Sequence, residues 1–336
     1  MTRASSALHG EVSPLAGILC VLVPLAAAAC GGTLDAGSDE PRGPLPVDER
    51  NPIIVCNDGP SDNWQGEFAM LFASTGGPPL VGLVINAAWP WTDLDGNMAG
   101  WQEMVNAARD SGLKGIPEPL RSDSPGLVRP DDGDIDSTEP NRSEGARFIV
   151  ETSQQLSKPV RPVVVVTGTS LTDIADAYLM DHTVSERVVV VSALGTTKPD
   201  GAAMGLPNGQ LDTWADVIVA QKFRYVQVTG YSYDPSADVP SSELSQLPTN
   251  AFASWIESKQ PDVENATDQV GVLVVAMPSV VANVVQVEQS GEDEDGIPLL
   301  TAAPGGTAQV VSSVDTAQGA TRLWEMLLDP ATFSAE

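Results

Sequence analysis

The residues best suited to chemistry lie in one short turn near residue 60. Asp58 and Asp62 follow an apolar, β-branched run from Ile53 to Cys56, and apolar side chains at helical spacing begin after them. A buried strand that feeds a helix through such a turn carries these carboxylates at its carboxyl end. Open α/β sheets bind their ligands at that edge, so we expect any active site at Asp58 and Asp62.

Other common catalytic and metal-binding patterns are absent from the sequence. The two histidines are His9 and His182, which argues against a Ser-His-Asp triad and against a histidine-rich zinc site. No GxSxG, P-loop lysine or GxGxxG motif occurs either. The runs 93–97 and 132–136 alternate oxygen-bearing side chains, but neither has the glycine and the closing glutamate of an EF-hand. We therefore interpret both runs as solvated acidic turns.

The remaining segments must form a scaffold that positions this turn. Short apolar runs alternate with amphipathic segments, which predicts βαβ units and a mainly parallel sheet covered by helices. The predicted strands are 53–56, 80–85, 161–167, 187–192, 225–228 and 270–277. A first predicted helix begins at 62, and the others span about 98–110, 143–156, 171–180, 212–222, 249–259 and 321–328. The polar stretch 116–138 has neither pattern, and we expect a mobile loop that borders the pocket.

The first thirty residues have the composition of a targeting segment. Arg3 precedes an apolar run from Val12 to Ala29, and small residues stand directly before Cys30. This resembles a bacterial lipoprotein signal and implies a lipid anchor on Cys30 in the cell envelope. The alternative is an ordinary signal peptide cut after Ala29, which would give a secreted or periplasmic protein. We expect a signal peptide over 1–29, a flexible Gly- and Pro-rich tether over 30–51, and one folded domain over 52–336.

The charge of the chain limits its partners. The formal net charge of the 336 residues is −28, and the acidic residues are spread along the chain. Without a basic patch to neutralise phosphates, nucleic acid and anionic lipid surfaces are poor partners. Cys56 is the single cysteine of the predicted domain, so no disulfide framework exists, and we interpret it as a small buried side chain.

Several segments resemble, in order, the nucleoside hydrolase family of the inosine-uridine preferring type. The turn 56–63, Cys-Asn-Asp-Gly-Pro-Ser-Asp-Asn, is similar to the DxDxxxDD turn that opens these enzymes. Residues 166–175 are similar to the family's TGPLTNIA segment, and 208–216 to its AEFN…DPEAA segment. Residues 275–281 stand where the family has its HDP sequence. The resemblance covers the chain from residue 52 onward and implies an α/β fold with a mainly parallel central sheet flanked by helices.

The resemblance also implies roles for individual residues. Asp58 would be the general base and a calcium ligand, together with Asn63 and the backbone carbonyl of Thr167. The substrate would be a nucleoside or a sugar-like small molecule, cleaved at its N-ribosyl bond through an oxocarbenium-like state. The substrate-binding residues that the resemblance implies are Asp62, Trp89, Gln210 and Asp212. Asp62, three residues before Gln65, also fits a helix capping box.

The implied calcium site departs from the family pattern. Asn63 and Cys56 each replace an aspartate, and Met277 stands where a late calcium-binding aspartate is expected. Calcium affinity depends on ligand charge, and a thioether is a poor ligand for a hard cation, so we expect calcium to bind weakly or not at all. Two functions follow. One is an N-ribosyl hydrolase with a degraded calcium site. The other is a catalytically silent relative that binds a sugar-like ligand or a protein partner; either is compatible with an oligomer.

Overall fold

The structure, a computed structural model, describes residues 40–60, 64–88, 92–193, 208–229, 241–259 and 268–334. The predictions for Cys30, Asp62, Asn63 and Trp89 lie outside these ranges. In the described ranges, no helix has both the length and the apolar character needed to span a bilayer. All of these ranges belong to one unit, which extends from Asp39 to Glu336.

Nine strands of the described chain form a single sheet. They are β1 (Ile53–Asn57), β2 (Leu80–Ile85), β3 (Pro119–Arg121), β4 (Val163–Thr167), β5 (Val188–Ala193), β6 (Arg224–Val228), β7 (Val281–Glu292), β8 (Pro298–Ala302) and β9 (Ala308–Val314). Their order in the sheet is β3-β2-β1-β4-β5-β6-β9-β7-β8. The pairs from β3 through to β9 are parallel, whereas β7 is antiparallel to both of its neighbours.

Nine α-helices of the described chain surround this sheet. They are α1 (Gln65–Ser74), α2 (Leu94–Asp110), α3 (Glu144–Leu156), α4 (Thr172–Met180), α5 (Val184–Arg187), α6 (Thr213–Lys222), α7 (Ala251–Lys259), α8 (Gln269–Ala276) and α9 (Thr316–Leu328). Asp93, Ser143, Asp212 and Asp315 each cap a helix by accepting a hydrogen bond from the backbone N–H three residues later. The caps at Asp93 and Asp315 explain why α2 and α9 begin before the predicted residues 98 and 321.

Helices cover both faces of the sheet. Ile53 and Val55 of β1 point to a core formed with α1, α2, α7, α8 and α9. Ile54 and Cys56 point to the opposite core, formed with α3, α4 and α6. Because both faces are buried, the central strands are apolar throughout, as parallel strands are. The predicted fold class is therefore confirmed, and Cys56 is a buried free thiol.

The strand predicted at 270–277 is wrong, because this segment forms α8. Every residue of α8 except its last, Ala276, is buried. A helix that is apolar on all sides shows no periodicity, and a valine-rich run of this length then reads as a strand. Strands β7, β8 and β9 were missed in the same part of the chain. They form the antiparallel end of the sheet.

The stretch 116–138 has more structure than the sequence predicts. It contains the edge strand β3 and a 3₁₀ turn at Ile135–Ser137. Ile116, Leu127 and Ile135 are buried, so apolar side chains anchor the stretch on both sides of its polar parts. The stretch is therefore a loop with two short regular elements, and its mobility stays a prediction.

Residues 40–51 pack on the domain, although the sequence predicts a flexible tether. Leu45 and Val47 are part of the core. The fully buried Asp48 carboxylate accepts hydrogen bonds from the backbone N–H of Arg42 and from the guanidinium of Arg50. Asn51 Nδ2 donates to the carbonyl of Pro162 at 2.8 Å. The folded domain therefore includes 40–51, and the predicted tether is wrong for these residues.

Candidate functional site

The carboxyl ends of β1 and β4 meet where the strand order reverses. From β1, the sheet continues to β2 and β3 on one side and to β4, β5 and β6 on the other. A crevice at such a reversal is where open α/β sheets bind ligands. The residues at these strand ends, and at the end of the neighbouring β2, are polar and buried: Asn57, Asp58, Asn86, Thr167 and Thr169.

Asp58, the predicted catalytic residue, is held from three directions. Its Oδ1 accepts a hydrogen bond from the backbone N–H of Gly59 at 2.7 Å, and its Oδ2 lies 3.3 Å from Thr169 Oγ1. Its backbone carbonyl accepts from Trp101 Nε1 at 3.2 Å, which fixes the turn to α2. The residue is only 3 % exposed. The structure thus places a well-fixed, buried carboxyl group at the strand reversal.

Asn86, which the sequence analysis did not select, lies next to Asp58. Its Oδ1 accepts a hydrogen bond from Thr169 Oγ1 at 2.9 Å, so one hydroxyl connects Asn86 with Asp58. Its backbone N–H donates to the carbonyl of Asn57 at 3.1 Å, and its carbonyl accepts from Asn97 Nδ2 at 3.2 Å. The available signal was its position, because Asn86 directly follows the predicted strand β2.

A second buried carboxylate, Asp268, reaches the same place from the start of α8. Its Oδ1 accepts from Asn208 Nδ2 at 3.3 Å, and its carbonyl accepts from Gln65 Nε2 at 3.4 Å. A Cβ on Gly168 would lie 2.7 Å from Asp268 Oδ2 and 2.8 Å from Asn57 Nδ2. Only glycine leaves room for this approach. Asp268 was missed because the sequence analysis predicted a strand at 270–277, which placed Asp268 at the amino end of a strand and not at the carboxyl end where ligands bind.

The expectation for Met277 is corrected by the same helix. Met277 follows α8 at the end opposite to Asp268, and a helix of eight residues is about 12 Å long. Its side chain packs against the core cluster of α1 and α8. The carboxylate beside Gly168 is that of Asp268, so Met277 does not fill a ligand position there. The error arose because a strand was predicted where the chain forms a helix.

Asn57 offers an oxygen that lacks a donor. Its Nδ2 donates to Gln65 Oε1 at 2.6 Å, whereas its Oδ1 is buried without a hydrogen-bond partner among the described residues. Gln65 is therefore engaged with Asn57 rather than in the predicted capping box. The N-cap of α1 is Trp64, in the left-handed region with φ 62° and no side-chain cap. A buried acceptor without a donor is a candidate contact for a ligand or a cation.

The Asp212 carboxylate is held by hydrogen bonds from the surrounding elements. Its Oδ1 accepts from the backbone N–H of Ala215 at 3.1 Å, and its Oδ2 accepts from Leu127 N at 2.9 Å and Thr172 Oγ1 at 2.8 Å. Burial raises the pKa of the Asp212 carboxyl, while these hydrogen bonds oppose the rise. The carboxylate therefore joins α6, α4 and the stretch 116–138. Gln210 lies half-buried in the adjoining 3₁₀ turn, Asn208–Asp212.

Thr167 ends β4 beneath this site. Its hydroxyl donates to the carbonyl of Thr169 at 3.1 Å, which shapes the turn around Gly168. Over the described ranges, no group of three or more His, Cys, Asp or Glu side chains could hold a metal ion. The acidic runs 93–97 and 132–136 form hydrogen bonds within their own segments. Asp93 caps α2, and Asp132 accepts a hydrogen bond from the backbone N–H of Asp134.

Solved structures with this fold include several nucleoside hydrolases. A purine-preferring ribonucleoside hydrolase from Gardnerella vaginalis is 15 % identical with a TM-score of 0.54, and the match covers 83 % of this chain and 99 % of that one. An inosine-uridine preferring nucleoside hydrolase from Bacillus anthracis is 13 % identical with a TM-score of 0.58, and the match covers 82 % and 99 %.

The type III effector XopQ, solved in complex with adenosine diphosphate ribose, is another solved structure with this fold. It is 13 % identical with a TM-score of 0.55, and the match covers 88 % of this chain and 96 % of that one. No protein-family model and no curated protein matches the sequence. At these identities the likeness concerns the fold alone. The chain has a nucleoside hydrolase-like fold.

Proposed function

We propose that the protein is an N-ribosyl hydrolase that acts on a nucleoside or a related ribose-containing molecule. The observation that carries this proposal is the buried Asp58 carboxyl group at the strand reversal of a nucleoside hydrolase-like fold. The solved relatives named above include enzymes that prefer purine nucleosides and enzymes that prefer inosine and uridine. Their fold supports the reaction class, and Asp58 supplies the group that such a reaction needs.

In this proposal Asp58 is the general base. The hydrogen bond from Gly59 fixes Oδ1, so the carboxylate has a set orientation when water approaches. Cleavage of a ribosyl C–N bond passes through a state with positive charge on the sugar. The Asp58 carboxylate stabilises that charge, and Asp268, whose carboxylate lies beside Gly168, adds a second carboxylate.

The oxygen atoms here fit calcium in part. Calcium prefers hard oxygen donors, and four are available here: the carboxylates of Asp58 and Asp268, the carbonyl of Thr167, and Asn57 Oδ1, which has no partner among the residues that the structure describes. A bound calcium ion would lower the pKa of a coordinated water. Asp268 supplies a carboxylate that the sequence analysis counted as lost, but Asn63 is still neutral. We therefore propose a calcium site that is weaker than one built from three carboxylates.

A silent relative that binds a ribose-like ligand is the second candidate. Asp212, which the resemblance assigns to the sugar, uses both of its oxygens in hydrogen bonds to the scaffold. A site that has lost a polar contact to the substrate retains a cavity but loses part of its transition-state stabilisation. This candidate predicts ligand binding without turnover.

Release of free ribose from inosine and uridine distinguishes the two candidates. Asp58→Asn removes the base without changing its shape, and turnover should fall by about 10²- to 10⁴-fold. Asp95→Asn is the matched control, because Asp95 is a surface residue that pairs with Arg121. Turnover that survives Asp58→Asn would contradict the proposed base. Binding of either nucleoside without any turnover would favour the silent relative.

A further inference from the structure

A small cavity lies at the amino ends of β6 and β9, far along the strands from the candidate site. Its volume is about 130 Å³, and its lining includes Arg224, Thr307 and Gln309. Strand β6 begins at Arg224, and it runs in the same direction as β1 because the pairs between them are all parallel. Asp58 follows the carboxyl end of β1, so the cavity is at the opposite end of the strands and has no part in the proposed hydrolysis.

Arg224 is a half-buried arginine without a carboxylate partner. Among the described residues, every other arginine except Arg142 forms an ion pair with an aspartate or a glutamate. Arg142 is exposed, so water solvates its charge. A charge that is partly removed from water is costly unless an opposite charge lies beside it. A chain with a net charge of −28 has many carboxylates, yet none of the described ones pairs with Arg224.

Most hydrogen-bond donors of Arg224 are unused. A guanidinium group has five N–H donors, and Arg224 Nη2 lies 3.3 Å from the backbone carbonyl oxygen of Glu186. The other donors have no partner in the described part of the chain. Burial lowers the pKa of Arg224, but an arginine stays charged at physiological pH. The cavity therefore presents a positive charge and free donors, which together suit an anion.

Gln309 adds an independent unfilled contact to the same cavity. Its residue position is fixed in the sheet, because β9 pairs it with Val226 of β6 and with Gln286 of β7. Its Oε1 is buried and accepts no hydrogen bond from any residue that the structure describes. A buried acceptor of this kind needs a donor from a ligand or from water.

A larger apolar groove adjoins the cavity at Gln309, which lines both. The groove has a volume of about 550 Å³. Its apolar lining comes from the start of the domain and from β7, β8 and the turn after β8: Pro44, Val284, Val285, Ala302, Ala303 and Pro304. Cavity and groove together have the character of a small-molecule site, in which apolar walls surround a few polar groups.

We propose that this region binds a small organic anion. Its carboxylate or phosphate group pairs with Arg224, because a guanidinium matches either group with two parallel hydrogen bonds. An N–H or O–H group of the ligand donates to Gln309 Oε1, and its apolar part lies in the groove. This second site is separate from the proposed hydrolase site and does not depend on its activity.

NMR titration of the ¹⁵N-labelled full chain tests the site with benzoate, phenyl phosphate and benzamide. The signal to follow is the side-chain amide of Gln309, assigned with Gln309→Leu. Benzoate and phenyl phosphate should shift this signal to saturation, and the tighter of the two identifies the preferred anionic group. Benzamide has the shape of benzoate without its charge and should bind at least about tenfold more weakly.

Two substitutions test the role of Arg224. Arg224→Gln should weaken the binding of both anions at least about tenfold, whereas Arg142→Gln, at the other arginine without an ion pair, should leave it unchanged. Thr307 is exposed and lines the cavity, so Thr307→Glu supplies the missing carboxylate and should block both anions. Ser313→Glu places the same charge on an exposed position of β9 outside the cavity lining and is the control.

Two results would overturn the anion site. One is anion binding that survives Arg224→Gln, and the other is benzamide binding as tightly as benzoate. Should Arg224→Gln fail to fold, Thr307→Glu decides, because it leaves Arg224 in place. Unchanged affinity for benzoate and phenyl phosphate in Thr307→Glu would then contradict the proposal.

Discussion

At the scale of single residues, the buried carboxyl groups of the candidate site and of helix α4 differ in their hydrogen-bond donors. Asp58 accepts from one backbone N–H group and Asp176 from two, whereas Asp173 accepts from the hydroxyl groups of Ser122 and Ser143. Burial disfavours the charged form of a carboxyl group, and hydrogen bonds to the carboxylate favour it. For Asp173 burial outweighs the hydrogen bonds from Ser122, Ser143 and Asn86, and its pKa is raised.

Asp173→Asn should stabilise the fold at pH 8 and change little at pH 4. The pKa of Asp173 is raised in the folded state, so the folded chain holds a proton that the unfolded chain releases. The stability contributed by this group is therefore present at low pH and is lost as the pH rises from the unfolded to the folded pKa. Asparagine is neutral throughout and avoids that loss. Urea unfolding at both pH values measures the difference.

Asp176→Asn is the matched control for this prediction. The two oxygens of Asp176 accept hydrogen bonds from two backbone N–H groups, and asparagine replaces one of these acceptors by a donor, so the substitution should cost about 1–3 kcal/mol. A destabilised Asp173→Asn at pH 8 would contradict the raised pKa of Asp173, and a stabilised Asp176→Asn would contradict the role of Asp176 as an acceptor for the two backbone groups.

At the scale of elements, the sequence predicts those helices and strands whose pattern has a single interpretation. The central strands β1, β2, β4, β5 and β6 were predicted because they are short, β-branched and bounded by turn residues. Helix α8 was not predicted, because a helix that is buried on all sides has no helical periodicity of apolar residues in its sequence. Strands β7 to β9 were missed because many residues of β7 are exposed and its alternation is weak.

Gly319→Ala should destabilise the contact between α9 and α8. Helix propensity alone favours alanine by about 1 kcal/mol. A Cβ at Gly319, however, would overlap Leu273 of α8, and overpacking of a buried contact costs about 1–3 kcal/mol. We expect a lower free energy of unfolding in urea. In a Leu273→Ala background the overlap disappears, and Gly319→Ala should then stabilise; destabilisation in both backgrounds would contradict close packing at this point.

At the scale of the whole molecule, the candidate site and the N-terminal arm, residues 40–51, lie at opposite ends of the same strands. The arm 40–51 leads into the amino end of β1, where Asn51 binds the carbonyl of Pro162 just before β4. Asp58 and Thr169 follow the carboxyl ends of the same two strands. Asp58 and Asp268 are brought together only by the complete fold. Local spacing in the sequence therefore found the first and could not find the second.

We propose that the protein is lipid-anchored in the bacterial envelope through Cys30. Cys30→Ser should move it from the membrane fraction to the soluble fraction, because a chain with a net charge of −28 has no electrostatic attraction to anionic lipids. Cys20→Ser, within the predicted signal peptide, is the matched control and should leave fractionation unchanged. Membrane retention of Cys30→Ser would contradict a lipid anchor on Cys30.

The central claim is that Asp58 and Asp268 form one ligand site at the strand reversal and that Met277 has no part in it. Calorimetric titration with calcium tests this claim most directly. We predict a dissociation constant of about 10⁻⁴ M for the unchanged protein, because its site has fewer charged ligands than a tight one. Asp268→Asn should weaken binding at least about tenfold, whereas Met277→Leu should leave it unchanged. Calcium binding that survives Asp268→Asn, or that is lost in Met277→Leu, would contradict the account.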